Sequence, residues 1–212
     1  VKQTTLNPCS ESTIRGWELL LSVLATCPPS EQLAPHVGWH FGEHLSSQQE
    51  SADYTQSVSK YAEKCLVALP QVMKLGCRRE KPTLLESQAT SRGEGIPVRA
   101  YLVDGRHLTI KIDAWTTALD LADALGSELG GVSRQDGLRV FEVSDEALQE
   151  RCLDDDERVL DVLAYWDRMQ SIDKKKRRKS AHYKLMYKVR YFYTDTLSSS
   201  TAEELHYQQA RQ

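Results

Sequence analysis

Residues 97–130 carry the pattern that most restricts what this chain can fold into. Asp104-Gly105 lies between two β-rich runs. Such a pair takes the positive φ angles of a tight hairpin turn, so the flanking runs are expected to pair as antiparallel strands. In the second run Leu108, Ile110 and Ile112 alternate with His107, Thr109, Lys111 and Asp113. That period of two puts the aliphatics on one sheet face. The spacing then changes. Ala118, Leu121, Ala122, Leu125 and Leu129 recur at three- and four-residue steps, the mark of a helix with one apolar face. Thr117 with Asp120 has the form of a capping box, and Gly130-Gly131 supplies a stop. The helix must lie across the hairpin to bury its stripe.

A hairpin covered by a helix is the opening of a β-grasp, ubiquitin-like lobe, and the residues after it extend the pattern. Residues 138–143 read as a third strand. The acidic run at 154–157 precedes a helical stripe of Val159, Leu160, Leu163 and Trp166. Acids there suit a helix N-terminus or a solvated surface. They lack the Asp-x-Asp-x-Asp-Gly order and distal Glu of a calcium loop. Six consecutive cations follow: Lys174, Lys175, Lys176, Arg177, Arg178 and Lys179. Beyond them Leu185, Tyr187, Val189, Tyr191 and Tyr193 alternate along a strand pattern. Thr201 and Glu204 match a capping box for a last helix carrying Leu205, Tyr207, Gln208 and Gln209.

The first 81 residues read as helices only. Ile14, Trp17, Leu20, Leu21 and Leu24 form one stripe, with Ser10 or Ser12 as its cap. Pro28-Pro29-Ser30 ends that helix, and Ser30 caps the next, which carries Leu33, Val37, Phe41 and Leu45. Residues 46–51 are polar and read as a loop. Tyr54, Val58, Tyr61, Cys65 and Leu69 make a third stripe. Helices with one apolar face each require partners, so a bundle is expected. Residues 82–96, with Pro82, Gly93 and Gly95, read as a linker with one short helical turn near Leu84.

Charge is distributed unevenly. Residues 1–81 carry 8 basic and 8 acidic groups, residues 82–170 carry 9 and 18, and residues 171–212 carry 10 and 4. The lobe is therefore acidic and the end of the chain basic, so the two halves attract each other or face different partners. Cys9, Cys27, Cys65, Cys77 and Cys152 are scattered and odd in number, which fits a reducing compartment better than a disulfide framework or a zinc site. No apolar run approaches the roughly 18 residues that span a bilayer. A start at Val1 and an end at Gln212 with no closing element read as a segment of a longer protein.

Two further stretches point to a family. Lys2-Gln3-Thr4-Thr5-Leu6-Asn7-Pro8, Arg15-Gly16-Trp17-Glu18-Leu19-Leu20 and Pro28-Pro29-Ser30 together resemble the second half of a myosin tail homology 4 domain. Leu75-Gly76-Cys77-Arg78-Arg79-Glu80-Lys81-Pro82 resembles that domain's exit into a FERM domain. Val98 to Trp166 is similar to the ubiquitin-like first FERM lobe. Tyr187 to Phe192, with Leu205-His206-Tyr207-Gln208-Gln209, resembles the entry into the helical second lobe. The resemblance implies a multidomain α plus α+β architecture. Residues 1–81 are the C-terminal part of the tail homology domain, 82–96 the linker and 97–170 the ubiquitin-like lobe. Residues 171–180 are a basic interlobe segment, and 181–212 start the second lobe. Such tandems occur in tails of unconventional myosins, here of class VII or XV type, and in pleckstrin-homology adaptors. The first part of the tail homology domain and most of the later FERM lobes are missing on this reading, so residues 181–212 are expected to lack their packing partners.

Catalytic signatures are lacking. There is no Gly-x-x-x-x-Gly-Lys phosphate loop, no Gly-x-Ser-x-Gly elbow and no His-Glu-x-x-His. His36, His40 and His44 share a helix face at four-residue spacing; they read as a polar boundary row beside the stripe, with a metal site as the sharper alternative. Trp17 and Trp166 fall on apolar stripes and are expected in cores, while Trp115 is expected to be partly exposed. The basic run has three readings: a solvated interlobe loop, a contact for anionic phosphoinositide membrane or acidic tubulin tails, and a nucleic-acid or import patch. The aromatics nearby look like strand core, which argues against nucleic acid. The resemblance implies a non-catalytic segment, with no cofactor or metal, that binds cargo or adaptor proteins. Actin would be reached only through a motor head absent from this sequence. The corresponding location is the cytoplasm, associated with the cytoskeleton and with actin-rich protrusions. A motor-less membrane adaptor is the alternative.

Overall fold

The computed structural model describes residues 4–5, 7–45, 53–144, 149–176, 182–192 and 197–211, with the backbone alone for residues 53–55. The chain forms two compact units. One comprises Val1–Gly95 with Asp113–Trp115, the other Ile96–Ile112 with Thr116–Gln212.

The first unit is helical, as its stripes require. Helices α1 (Ser10–Leu24), α2 (Ala34–Leu45) and α3 (Asp53–Leu75) bury Trp17, Leu21 and Leu24, then Phe41, then Val58, Ala62, Cys65, Ala68 and Val72 in one core. The α1 and α3 sets recur at three- or four-residue steps, and Val37 and Leu45 pack four residues either side of Phe41, so each helix turns one face inward. The side chain of Tyr54 and the expected loop at 46–51 lie outside the described residues. Neither Ser10 nor Ser12 caps α1: the N-cap is Cys9, which makes no side-chain cap. Asn7 instead accepts the Cys9 amide at 3.0 Å. Ser30 does close the turn before α2, accepting the Leu33 amide on its hydroxyl at 3.3 Å.

The stretch read as a linker holds more than one turn. Helix α4 (Leu84–Arg92) starts where Thr83 accepts the Glu86 amide and ends at Gly93, whose φ of +63 only glycine adopts freely. Its apolar pattern is weak because a charged pair ties it down instead. Glu86 forms an ion pair with Arg78, and the two side chains are only 3% and 2% exposed. Removing one partner of such a pair strands a buried charge at a cost of about 3–5 kcal/mol.

The second unit contains the β-grasp elements. Strands β1 (Ile96–Leu102) and β2 (His107–Ile112) form the antiparallel hairpin, with Tyr101 opposite His107. Gly105 takes the expected positive φ of +85, and the Asp104 carboxylate accepts the Arg106 amide at 2.8 Å. Helix α5 (Ala118–Glu128) opens with both bonds of the Thr117–Asp120 capping box and buries Ala118, Leu121, Ala122 and Leu125. Gly126 is needed for space: a Cβ there would sit 2.2 Å from the Val132 carbonyl oxygen. The chain crosses there because the Gly131 and Val132 amides both donate to the Gly126 carbonyl.

After the short 3-10 turn Arg134–Asp136 come β3 (Leu138–Ser144), β4 (Gln149–Cys152), α6 (Val159–Lys175), β5 (Tyr183–Val189) and α7 (Ser200–Ala210). The sheet order is β2-β1-β5-β3-β4. This corrects the expectation that residues 181–212 start the second FERM lobe. Strand β5 is the centre of the first lobe's sheet, parallel to β1 and antiparallel to β3. Buried Leu185, Tyr187 and Val189 complete its core. Helix α7 is also packed rather than short of partners. Ala202 and Leu205 are buried in the same core, and Gln209 exchanges two hydrogen bonds with the Val189 backbone at 2.6 and 2.8 Å. Its cap is Ser199, two residues before the expected Thr201.

Strand β4 gave no periodic signal, being exposed along three of its four residues. Its Arg151 explains the acidic run. Glu157 pairs with Arg151 at 2.7 Å and Asp155 with Arg139 at 3.1 Å, whereas α6 has Arg158 as N-cap with no side-chain cap. Two of the four acids thus answer cations of the sheet, Asp154 and Asp156 are exposed, and none of them is the N-cap of α6.

Candidate partner-binding surface

The basic run is half helix. Lys174 and Lys175 form the last residues of α6 and Lys176 is its C-cap, donating its amide to the Ile172 carbonyl at 3.0 Å. All three side chains are exposed. Free carbonyls make a helix C-terminus negative, so cations there stabilise the helix without any ligand. Arg177, Arg178 and Lys179 lie outside the described residues. The run joins α6 to β5, and the start of β5 borders the lobe's cleft.

That cleft exists because two parallel strands meet along only part of their length. Residues Ala100, Tyr101 and Leu102 of β1 pair with Leu185, Met186 and Tyr187 of β5, while the strand ends before them are not in register contact. A cavity of about 690 Å³ opens between those ends. Val98, Leu163 and Trp166 give it apolar walls, and Arg99, His182 and Lys184 are its basic lining residues. The Trp166 indole lies in stacking contact with Tyr183, centroids 5.4 Å apart, and donates to the Glu142 carboxylate at 2.5 Å. A wall of fixed aromatics beside basic groups suits an extended segment with an apolar side chain and a carboxylate.

Other expected residues fall as follows. Trp17 is fully buried and Trp166 nearly so. Trp115 is half-exposed and belongs to the helical unit, its indole donating to the Leu24 carbonyl at 3.2 Å. The histidine row is not one environment. His36 is exposed, but His40 is buried, stacked on Trp17 with centroids 5.4 Å apart and planes 1° from parallel. Its Nε2 lies 2.9 Å from the Thr4 hydroxyl, and its ring meets His44 edge-on at 4.8 Å. Burial, and then the charge of His44, push the His40 pKa down; burial does the same to His44. Among the described residues no group of three or more His, Cys, Asp or Glu could hold a metal ion.

Sequence reading missed Arg99, His182 and Lys184 as a group, because only the β1–β5 pairing brings them together. It also missed Trp39, which is 67% exposed. The helical wheel does reveal that residue: two positions past Val37 is about 200° around the helix, off the apolar stripe.

Comparison with known proteins accounts for nearly all of the chain. Residues 1–89 match the MyTH4 domain model and residues 94–191 the RA like domain model. The myosin-I heavy chain of Dictyostelium discoideum is 25% identical over 217 residues, covering 99% of this chain and 9% of that protein. The chain thus spans under a tenth of that relative's length. Among solved structures, the myosin VII MyTH4-FERM MF1 domain of Dictyostelium discoideum, a mutant form, superposes with a TM-score of 0.84 at 23% identity, over 98% of this chain and 42% of that one. The human myosin 7b C-terminal MyTH4-FERM domain, solved in complex with the harmonin-a PDZ3 domain, gives 0.65 at 22% identity, over 98% and 40%. At such identities the structures speak for the fold alone. The order of the two domain matches, the five-stranded sheet with its helices and the superposition agree: the chain carries a MyTH4 domain followed by an RA-like lobe of ubiquitin fold, in the fold of solved MyTH4-FERM domains.

Proposed function

We propose that this chain is a non-catalytic interaction segment in the tail of an unconventional, actin-based myosin, joining the motor to cargo or adaptor proteins and to membrane. The observation that carries the reading is the tandem itself: a MyTH4 domain and an RA-like lobe in one chain, in the order that myosin tails use. On this reading residues 1–81 serve as MyTH4 helices, 82–96 as the exit segment and 97–170 as the body of the ubiquitin-like lobe, with helix α7 leading toward a second lobe. Partner binding falls to the lobe's basic cleft, since the rest of the lobe sequence is acidic. The complex of human myosin 7b with a PDZ domain supports adaptor proteins as the partner class. The protein works in the cytoplasm on the cytoskeleton. Actin binding and ATP hydrolysis belong to a motor head elsewhere in the parent protein.

The membrane part rests on the basic run. Each cation near an anionic leaflet contributes on the order of 1 kcal/mol, which fits phosphoinositide membranes and, by the same charge, acidic tubulin tails. Vesicles of neutral lipid with and without phosphatidylinositol bisphosphate, and tubulin with and without its acidic tails, test this with the chain as it stands. Binding that falls with salt and is lost when Lys174 through Lys179 are all changed to Gln is the expected result. Equal binding by that variant would sink the role of the run. The reading frame upstream decides the parent: a motor head with a phosphate loop supports the myosin, whereas pleckstrin-homology domains favour the motor-less adaptor.

A further inference from the structure

Two of the five cysteines, far apart in the sequence, meet at the surface of the helical unit. The Cys27 and Cys77 sulfurs are 3.2 Å apart, and both residues are exposed. Their backbones are held together by a bond between the neighbouring residues, the Arg78 amide donating to the Thr26 carbonyl at 2.8 Å. Each side of the junction is also fixed locally. The Thr26 and Cys27 amides both donate to the Val23 carbonyl, which closes the end of α1. Gly76, at φ +74, turns the chain out of α3 so that Cys77 faces back across the unit. The other thiols have no such arrangement. Cys65 is buried, Cys152 is half-buried, and Cys9 is exposed at the start of α1.

We infer that Cys27 and Cys77 form a site of reversible oxidation, a surface dithiol that a peroxide converts to an intramolecular disulfide. The sulfurs must close by about 1.2 Å to reach disulfide length, which side-chain rotation supplies at a junction whose backbones are already apposed. In the first step one thiolate attacks a peroxide oxygen. The O–O bond breaks, sulfur gains a hydroxyl as sulfenic acid, and hydroxide leaves to take a proton as water. In the second step the neighbouring thiol, losing its proton, attacks the sulfenic sulfur. The S–S bond forms, the S–O bond breaks, and a second water leaves. Two thiols and one hydrogen peroxide thus yield one disulfide and two waters. A dithiol reductant reverses the reaction by exchange. The bond would fasten the end of α1 to the chain that leaves α3, closing a loop that contains all of α2 and α3.

The test uses the full chain and its Cys27→Ser and Cys77→Ser variants. Each is exposed to hydrogen peroxide, denatured, alkylated and weighed, then digested and mapped. The wild type should leave only three of its five cysteines open to alkylation, and lose about 2 Da before alkylation. It should yield a peptide joining Cys27 to Cys77, and recover five alkylations after dithiothreitol. Its melting temperature should rise on oxidation by on the order of 5 °C. Neither serine variant should form an internal bridge. Five alkylations after peroxide, a bridge through Cys9 or Cys152, or a dimer linked between chains would each overturn the assignment. The wild-type peptide map decides even if a variant folds poorly.

Discussion

His40 is the residue at which the helical unit senses pH. Its ring is a core surface, flat against Trp17, and its burial disfavours the charged form. The lowered pKa has a definite sign in stability. The contribution is complete above the unfolded value near 6.5 and is lost as pH falls through the lower folded value. His44, shifted the same way, adds to the loss. The helical unit should therefore melt at lower temperature at pH 5 than at pH 7, and His40→Phe should flatten that dependence; thermal scans followed by tryptophan fluorescence, with Trp39, Trp115 and Trp166 replaced by Phe so that Trp17 alone reports, check it. An unchanged slope in the variant would place the titration elsewhere. Four-residue spacing made the histidine row visible in the sequence, but not that one member lies in the core. The row is sorted by Trp17, 23 positions before His40, and no local pattern pairs those rings.

Among the elements, α7 departs furthest from expectation. It was expected to want partners, yet it is anchored at three places. Ser198, just before it, donates its amide to the Asp136 carboxylate at 2.7 Å. His206 lies 2.7 Å from the Asp136 carbonyl, and Gln209 holds the end of β5. Burial alone would raise the Asp136 pKa, but hydrogen bonds from Ser198 and Ser133 outweigh it and hold the carboxylate ionised. Glu203 to Gln209 should then show hydrogen-exchange protection comparable to β5. Leu205→Ala, which empties a buried site, should cost about 2–5 kcal/mol in urea unfolding of the lobe. Protection no better than in a free peptide would mean that α7 is not docked. The hairpin and the α5 capping box were legible because both are encoded within a few residues. Strand β4 was not, because an edge strand with exposed side chains carries no alternation. Helix α4 was only partly legible, since its anchor is an ion pair rather than an apolar stripe.

At the scale of the molecule, domain order was readable and strand order was not. The change from helical to strand periodicity near residue 96 marks the start of the second unit. Alternation along β5 identified a strand, but alternation says nothing of which neighbours a strand takes. Its position predicts the outcome of truncation. A chain ending at residue 176 keeps the β1–β2 and β3–β4 pairs but loses the strand between them. That lobe should fail to unfold cooperatively, as read by urea titration of near-ultraviolet circular dichroism. A sharp transition in the truncated chain would contradict the strand order. The same topology sets a clock during synthesis. Strand β1 pairs in parallel with a strand about 85 residues later, so it emerges from the ribosome well before its inner neighbour exists. At roughly 5–20 residues per second the open strand edge waits for several seconds. The lobe is therefore exposed to mispairing for a period set by translation speed, and slow translation across the basic run would lengthen it.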